Sequence, residues 1–156
     1  MDKFDYLSKR LRELDSQGRL RSLVPRVNAG VELTEPNGQR LLNFGGNDYL
    51  GLAAQRSLQA SRSSSNEVVG GSGASALLSG WTAEHQLLSE KIASLESTDS
   101  AVLYPSGYAA CSGTVAVLAE EGDWILSDQL NHASLIDGCR LSRADCTVYP
   151  HRDWEA

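Results

Sequence analysis

Short apolar segments alternate with helical patterns over the last third of the 156-residue chain, and this order constrains the fold more than any other feature. Such alternation is typical of units in which consecutive strands run parallel and a helix crosses between them. The sequence therefore predicts an α/β protein with a mostly parallel sheet. In order, the predicted elements are a strand at Ala101–Tyr104, a helix at Tyr108–Leu118, a strand at Trp124–Ser127, a helix at Ala133–Leu141 and a strand at Thr147–Tyr149.

Polar residues stand at the two places where a predicted strand passes into a helix. Ser106, Gly107 and Tyr108 follow the first strand, and His132 follows the second. A helix start offers backbone N–H groups and the positive end of the helix dipole to a phosphate, and glycine lets the anion approach closely. Histidine can stack on a flat ring or move a proton. Two such edges in one parallel sheet predict a ligand site, although a tight-turn role for Gly107 and a helix-capping role for His132 stay open.

The first hundred residues carry separate local signals. The residues up to 45 are predicted to form an amino-terminal segment, and residues 46–156 the first part of a large domain. Gly70, Gly71 and Gly73 predict a flexible stretch up to Gly80. The predicted elements are a helix with its apolar stripe at Phe4, Leu7, Leu11 and Leu14 that ends at Gly18, a hairpin of Val31–Thr34 and Arg40–Phe44 around a Glu-Pro-Asn-Gly turn, and a helix from an N-cap at Thr82 to about Glu96.

Composition narrows the class of protein. A net charge of −6 and a pI near 5.0 argue against nucleic acid or a membrane surface as the main partner. The three cysteines form no CxxC pair, and the histidines have no metal-ligand spacing, so no metal site is expected. Reduced thiols and the absence of a secretory signal in the sequence predict a soluble protein of the cytoplasm.

Read together, the motifs resemble the α-oxoamine synthases, which are fold-type-I enzymes of the class II aminotransferase type that use pyridoxal 5'-phosphate. These enzymes condense an amino acid with an acyl thioester and release carbon dioxide. The resemblance extends from Arg21 to Asp153 and implies a three-layer α/β fold. The matching segments are Asn47-Asp48-Tyr49-Leu50-Gly51-Leu52, Gly71-Ser72-Gly73-Ala74-Ser75, Leu78-Ser79-Gly80, His85, Ser106-Gly107-Tyr108 and Asn131-His132-Ala133-Ser134.

The resemblance implies roles for individual residues. Ser106, Gly107 and Tyr108 would bind the cofactor beside its ring and phosphate. His132 would stack on the pyridine ring, position the substrate and act as the catalytic residue of this part of the chain. The same resemblance implies that four residues bind the substrates: Arg21, Asn47, Ser75 and His132. His85 is expected to be a packing residue, and Trp81 and His151 are expected to be structural.

One residue that the chemistry requires is not in the sequence. The family forms a covalent link between the cofactor and a lysine that follows a Thr or Ser late in the chain. Here the lysines are Lys3, Lys9 and Lys91, which all read as solvated charges on helices. The pyridine-nitrogen aspartate of the family would also lie beyond Ala156. We therefore expect the chain to be the amino-terminal part of a longer enzyme, inactive alone and homodimeric when whole.

Several members of the family remain open from the sequence. The best match is to members that join L-alanine to a pimeloyl thioester in biotin synthesis. Members that act on glycine with an acetyl group, or that make sphingolipid bases, remain possible, as does a lysine-less partner subunit. Leu77 stands where 5-aminolevulinate synthases carry an asparagine, which speaks against that activity.

Overall fold

The computed structural model describes residues 5–53 and 73–153. The chain divides into two compact units, Met1–Ser100 and Ala101–Ala156. The division expected after residue 45 stays a prediction. None of the helices in the described ranges has the length and apolarity of a membrane span. The first unit contains α1 (Asp5–Ser16), β1 (Val27–Ala29), β2 (Glu32–Thr34), β3 (Arg40–Leu42), a π-helical turn (Ala76–Gly80) and α2 (Ala83–Glu96), and the second contains α3 (Gly107–Leu118), β4 (Trp124–Asp128), α4 (Ala133–Ser142) and β5 (Asp145–Tyr149).

The predicted first helix is confirmed, although Phe4 lies outside the described residues. Helix α1 ends in a Schellman motif: the Gly18 N–H donates to Asp15 O over 2.9 Å and the Arg19 N–H to Leu14 O over 2.8 Å. Gly18 adopts a φ of 64°, which a side chain would disfavour. No residue of α1 is buried in the first unit, and Leu11 is 53% exposed. The helix is thus formed by its local sequence, and its apolar stripe is available to other protein.

The predicted hairpin is also confirmed and gains a third strand. Strands β2 and β3 pair antiparallel with Leu33 opposite Leu41, and Gly38 closes the turn with a φ of 84°. Strand β1 pairs antiparallel with β2. The sequence did not predict β1, because a three-residue strand is too short to show an alternating pattern.

The segment before α2 corrects one expectation. Residues 76–80 form a π-helical turn where a flexible stretch was predicted, while Gly70 and Gly71 lie outside the described residues. The Gly80 N–H donates to Ser75 O over 2.9 Å, five residues back. A Cβ at Gly80 would lie 2.0 Å from the carbonyl oxygen of Ala74, so this turn requires glycine. Glycine therefore marks close backbone approach here and not mobility.

Helix α2 begins after the predicted N-cap, Thr82. The Thr82 backbone N–H donates to Nδ1 of His85 over 3.2 Å. The His85 ring stacks on that of Trp81, with ring centroids 5.1 Å apart. Trp81 is 5% exposed. The structural interpretation of Trp81 and His85 is therefore confirmed.

The second unit confirms the two later strands and both helices of the predicted alternation, with shifts of two residues at most. Strands β4 and β5 pair in parallel, from Trp124 beside Asp145 to Asp128 beside Tyr149. The prediction of a strand at Ala101–Tyr104 is wrong. Those residues enter no strand pairing among the described elements, and a strand, unlike a helix, needs a neighbour to complete its hydrogen bonds.

Helices α3 and α4 pack closely through small residues. A Cβ added at Gly138 would lie 2.9 Å from Val115 Cβ and 3.2 Å from the Ser112 backbone. Ser112 and Ser134 are buried. On the strands, by contrast, Trp124 is 71% and Leu126 66% exposed. Parallel strands are ordinarily covered on both faces, so these side chains offer an apolar surface to further protein.

Candidate functional site

The turn into α3 is built by its own N-cap. Ser106 adopts an extended conformation, and its Oγ accepts a hydrogen bond from the Ala109 N–H over 3.1 Å. Gly107 is the first helical residue. Apart from its chain neighbours and the backbone of α3, no described atom lies within 4 Å of a Cβ placed there, and its φ is not positive. Neither packing nor backbone conformation requires glycine at this position, which fits a helix start that an anion approaches closely.

Tyr108 links the start of α3 to α4. Its hydroxyl donates to Oδ2 of Asp137, whose Oδ1 accepts from Arg140 over 3.2 Å. The hydrogen bond to Asp137 is the main cause that raises the pKa of Tyr108 above its ordinary value, with partial burial and the charge of Asp137 adding to it. The Tyr108 side chain is therefore held against α4 at Asp137, which lies five residues after His132.

His132 is the N-cap of α4. Its Nδ1 accepts from the Ser134 N–H over 3.2 Å and lies 2.8 Å from Ser134 Oγ, while the residue as a whole is exposed. A nitrogen that accepts from a backbone N–H carries no proton, so the neutral ring has its proton on Nε2. The capping interpretation is thus correct, and the same contact fixes the orientation of an imidazole that belongs to an exposed residue.

A dense set of hydrogen bonds precedes His132. Asp128 ends β4, and its carboxylate accepts from the Leu130 N–H over 2.7 Å and contacts His151 Nδ1 at 2.9 Å. The Asn131 side chain donates to Ser127 Oγ over 3.0 Å. Donation by Leu130 is the largest cause that lowers the pKa of Asp128; His151 acts in the same direction and partial burial opposes it.

The predicted substrate residues lie in the first unit. The Asn47 N–H donates to Gly73 O over 2.7 Å, so the segment of Asn47 meets that of Ser75. Asn47 and Ser75 are both exposed. Arg21 is exposed in an irregular segment and makes no hydrogen bond or ion pair with residues 5–53 or 73–153. The structure thus brings the Asn47 and Ser75 segments together, and no hydrogen bond within the described residues joins Arg21 to them.

A family model described as Aminotransferase class I and II matches residues 39–156. The chain therefore belongs to the class I and II aminotransferase family. It is 42% identical over 149 residues to 8-amino-7-oxononanoate synthase 2 of Bacillus subtilis, covering 95% of this chain and 38% of that protein. The first three curated relatives are covered over only 36% to 39% of their length. The chain thus spans less than half of the relatives it matches.

Solved structures agree with the family. Serine palmitoyltransferase of Sphingomonas wittichii is 27% identical with a TM-score of 0.54, covering 96% of this chain and 38% of that one. Serine palmitoyltransferase from S. paucimobilis, with bound PLP and myriocin, is 23% identical with a TM-score of 0.51 over the same shares. The predicted fold type and the resemblance to α-oxoamine synthases are confirmed. Pyridoxal 5'-phosphate is likewise confirmed as the cofactor of this group of enzymes.

Two contributors to the site were missed in the sequence. Asp128 and Asp137 organise the His132 turn and Tyr108, respectively. The signal for Asp128 was present, because an aspartate two residues before a turn amide commonly accepts from it. Asp137 gave no signal, since its partner is 29 residues away on another helix.

Proposed function

We propose that the full-length protein is a C-acyltransferase dependent on pyridoxal 5'-phosphate that condenses L-alanine with pimeloyl-CoA or a pimeloyl carrier protein, with decarboxylation, in biotin biosynthesis. The single observation that carries the proposal is the pair of helix starts in the second unit, one capped by Ser106 and one by His132. The 42% identity to a named 8-amino-7-oxononanoate synthase supports this choice of reaction.

When bound, the cofactor supplies an electron sink for bond changes at the α-carbon of the amino acid. The turn at Ser106 and Gly107 binds the phosphate through backbone N–H groups at the start of α3. His132 lies against the pyridine ring, in an orientation that Ser134 fixes, and its Nε2–H can donate to the substrate. Tyr108 borders the ring, held by its contact with Asp137.

Substrate recognition is assigned to the first unit. Arg21 binds a carboxylate of a substrate, because a guanidinium matches a carboxylate with two parallel hydrogen bonds. Within the described residues its side chain has no competing partner. Asn47 and Ser75 present exposed polar groups to the substrates from two segments joined by the Asn47–Gly73 hydrogen bond.

The lysine that links to the cofactor belongs to the rest of the protein. Lys9 and Lys91 are exposed on α1 and α2, and Lys3 lies outside the described residues. These 156 residues alone are therefore inactive and hold the cofactor weakly. The whole protein is a cytoplasmic homodimer whose active site lies at the subunit boundary; light scattering of the active form tests this assembly.

Other members of the group are the second candidates. The likeness to serine palmitoyltransferases favours a sphingolipid-type reaction, but the identity there is 27% against 42% for the biotin enzyme. A lysine-less partner subunit would have no use for the exposed ring of His132 or for the glycine at 107.

The test begins with the reading frame beyond the codon for Ala156, where a late lysine is expected. The purified full-length protein is then assayed for release of free CoA with three substrate pairs: L-alanine and pimeloyl-CoA, glycine and acetyl-CoA, and L-serine and palmitoyl-CoA. Turnover at least tenfold higher with the first pair is expected. A preference for either other pair assigns the protein to that member, and absence of a lysine with no turnover supports the partner subunit.

A further inference from the structure

Asp128 occupies an unusual position at the carboxyl end of β4. Both of its carboxylate oxygens are engaged: Oδ1 by the Leu130 N–H at 2.7 Å and Oδ2 by His151 Nδ1 at 2.9 Å. The Asp128 side chain is 20% exposed and that of His151 47%. One carboxylate therefore connects the turn after β4 with the segment that follows β5.

Hydrogen bonds fix the backbone of this turn at residues 129, 130 and 131. The Gln129 N–H donates to Tyr149 O over 2.9 Å, which extends the β4–β5 ladder by one residue. The Asn131 N–H donates to Asp128 O over 3.1 Å, and its side chain donates to Ser127 Oγ, which belongs to a residue 4% exposed. The next residue is His132, so its position follows from how residues 128–131 are fixed.

From this geometry we infer that Asp128 is a positioning residue for His132, and that it acts by clamping the turn that carries the imidazole. The inference rests on the proposed role of His132 at the cofactor ring. His132 is oriented from its carboxyl side by Ser134 and from its amino side by the turn that Asp128 holds. Removing the clamp leaves the ring capped but free to shift along the cofactor, and a displacement of about 1 Å can cost roughly a hundredfold in rate.

The same strand provides a matched control at its other end. Oδ2 of Asp123 accepts from the Glu120 N–H over 2.9 Å and so closes the turn that enters β4. Asp123 is exposed and has the same chemistry as Asp128, but it lies at the opposite end of the strand from His132. Loss of either carboxylate should lower stability, more so at Asp128 because it has two partners, whereas only loss of Asp128 should disturb the cofactor.

The experiment uses the full-length holoenzyme and four variants: Asp128→Ala, Asp128→Asn, His151→Phe and Asp123→Ala. Five quantities are measured for each: melting temperature, cofactor occupancy, visible circular dichroism of the bound cofactor, kcat and KM. The circular dichroism reports the orientation of the ring without any turnover. Asp128→Asn keeps an oxygen that accepts from Leu130, so it serves as the conservative rescue.

We expect Asp128→Ala to lower kcat per bound cofactor ten- to a hundredfold, to change the circular dichroism and to leave KM within about threefold. Asp128→Asn should regain most of the loss, and His151→Phe should give an intermediate value. Asp123→Ala should lower the melting temperature without changing the other quantities. If Asp128→Ala behaves as Asp123→Ala does, Asp128 is only structural and the inference is wrong. If the wild type binds the cofactor but condenses none of the substrate pairs, the proposed reaction fails, while the circular dichroism still decides the role of Asp128.

Discussion

The two units differ in how the side chains of their proposed site residues are held. In the second unit, Ser106 and His132 each cap a helix with a side chain that accepts a hydrogen bond from a backbone N–H. In the first unit, Arg21 and Ser75 are exposed and their side chains make no such bond within the described residues. The proposed cofactor residues are thus fixed by local hydrogen bonds, while the proposed substrate residues Arg21 and Ser75 are not.

This difference follows from where each residue stands. A residue at a helix start has unpaired N–H groups within two or three positions, so a short polar side chain finds a partner at once. A residue in an irregular segment finds its partner only through contacts distant in sequence. We therefore expect substitution of the helix-start residue His132 to change the chemistry of the bound cofactor, and substitution of the proposed substrate residues of the first unit to change substrate affinity.

The largest effect that would sharpen this contrast is expected for His132→Ala in the full-length protein. Loss of a stacking contact weakens cofactor binding by only about 0.5–1.5 kcal/mol, but misorientation of the reacting bond lowers kcat on the order of a hundredfold. Cofactor titration beside steady-state kinetics measures both. His85→Ala is the control, since His85 also caps a helix but lies in the first unit. A collapse of occupancy with normal turnover per bound cofactor would make His132 an anchor and not a catalytic residue.

The next effect concerns two arginines of the first unit. Arg21→Ala should raise the KM of the substrate whose carboxylate it binds by about tenfold or more, corresponding to roughly 1.5–3 kcal/mol for a charged hydrogen bond, with no change in stability. Arg26→Ala should lower the stability of the protein and leave this KM unchanged. Arg26 bonds Glu35 at 2.9 Å and Leu78 O at 2.6 Å, so its loss destabilises the fold by about 1.5–3 kcal/mol. Kinetics and thermal melts separate the two, and an unchanged KM for Arg21→Ala would remove it from the site.

The sequence predicted the second unit closely because its signals are local. Helix α4 was expected at Ala133–Leu141 and runs to Ser142, since the apolar period and the polar residues at its start decide its limits. The positions of the candidate site residues Ser106 and His132 at helix starts were predicted for the same reason. The strand at Ala101–Tyr104 was wrong because strand formation depends on a partner that propensity does not report.

What the sequence did not predict depends on contacts between distant residues. The π-helical turn exists because Gly80 lets its backbone reach the carbonyl of Ala74, and the glycine itself suggested only flexibility. The link from Asp128 to His151 spans 23 residues and requires the parallel pairing of β4 and β5. Such side chains carry no pattern of their own until the strand register is known.

A smaller effect is expected at two glycines of the second unit. Gly138→Ala should destabilise the protein by about 1–3 kcal/mol, because its methyl group would meet Val115 and the Ser112 backbone. Gly107→Ala meets no described atom and should leave the melting temperature unchanged, but it should weaken cofactor binding several-fold by obstructing the phosphate. Melts and cofactor titrations of both variants test this. If Gly107→Ala binds the cofactor as the wild type does, the helix start at Gly107 is not the phosphate site.

The smallest effect is expected at Tyr108, and it should disappear at alkaline pH. Hydrogen bonding to Asp137 raises the pKa of Tyr108 in the folded protein. A group whose pKa is raised on folding contributes stability that is complete below its unfolded pKa, about 10 for tyrosine, and that disappears as the pH rises through the folded pKa. Tyr108→Phe should therefore melt at a slightly lower temperature than the wild type from pH 7 to 9. The difference should vanish at higher pH, where the phenolate and the Asp137 carboxylate repel each other.

Tyr104→Phe is the control, because the Tyr104 hydroxyl makes no hydrogen bond within the described ranges. A gap between the wild type and Tyr108→Phe that stays constant after Tyr108 has ionised, as followed by its ultraviolet absorbance, would mean that the Asp137 contact does not stabilise the folded protein.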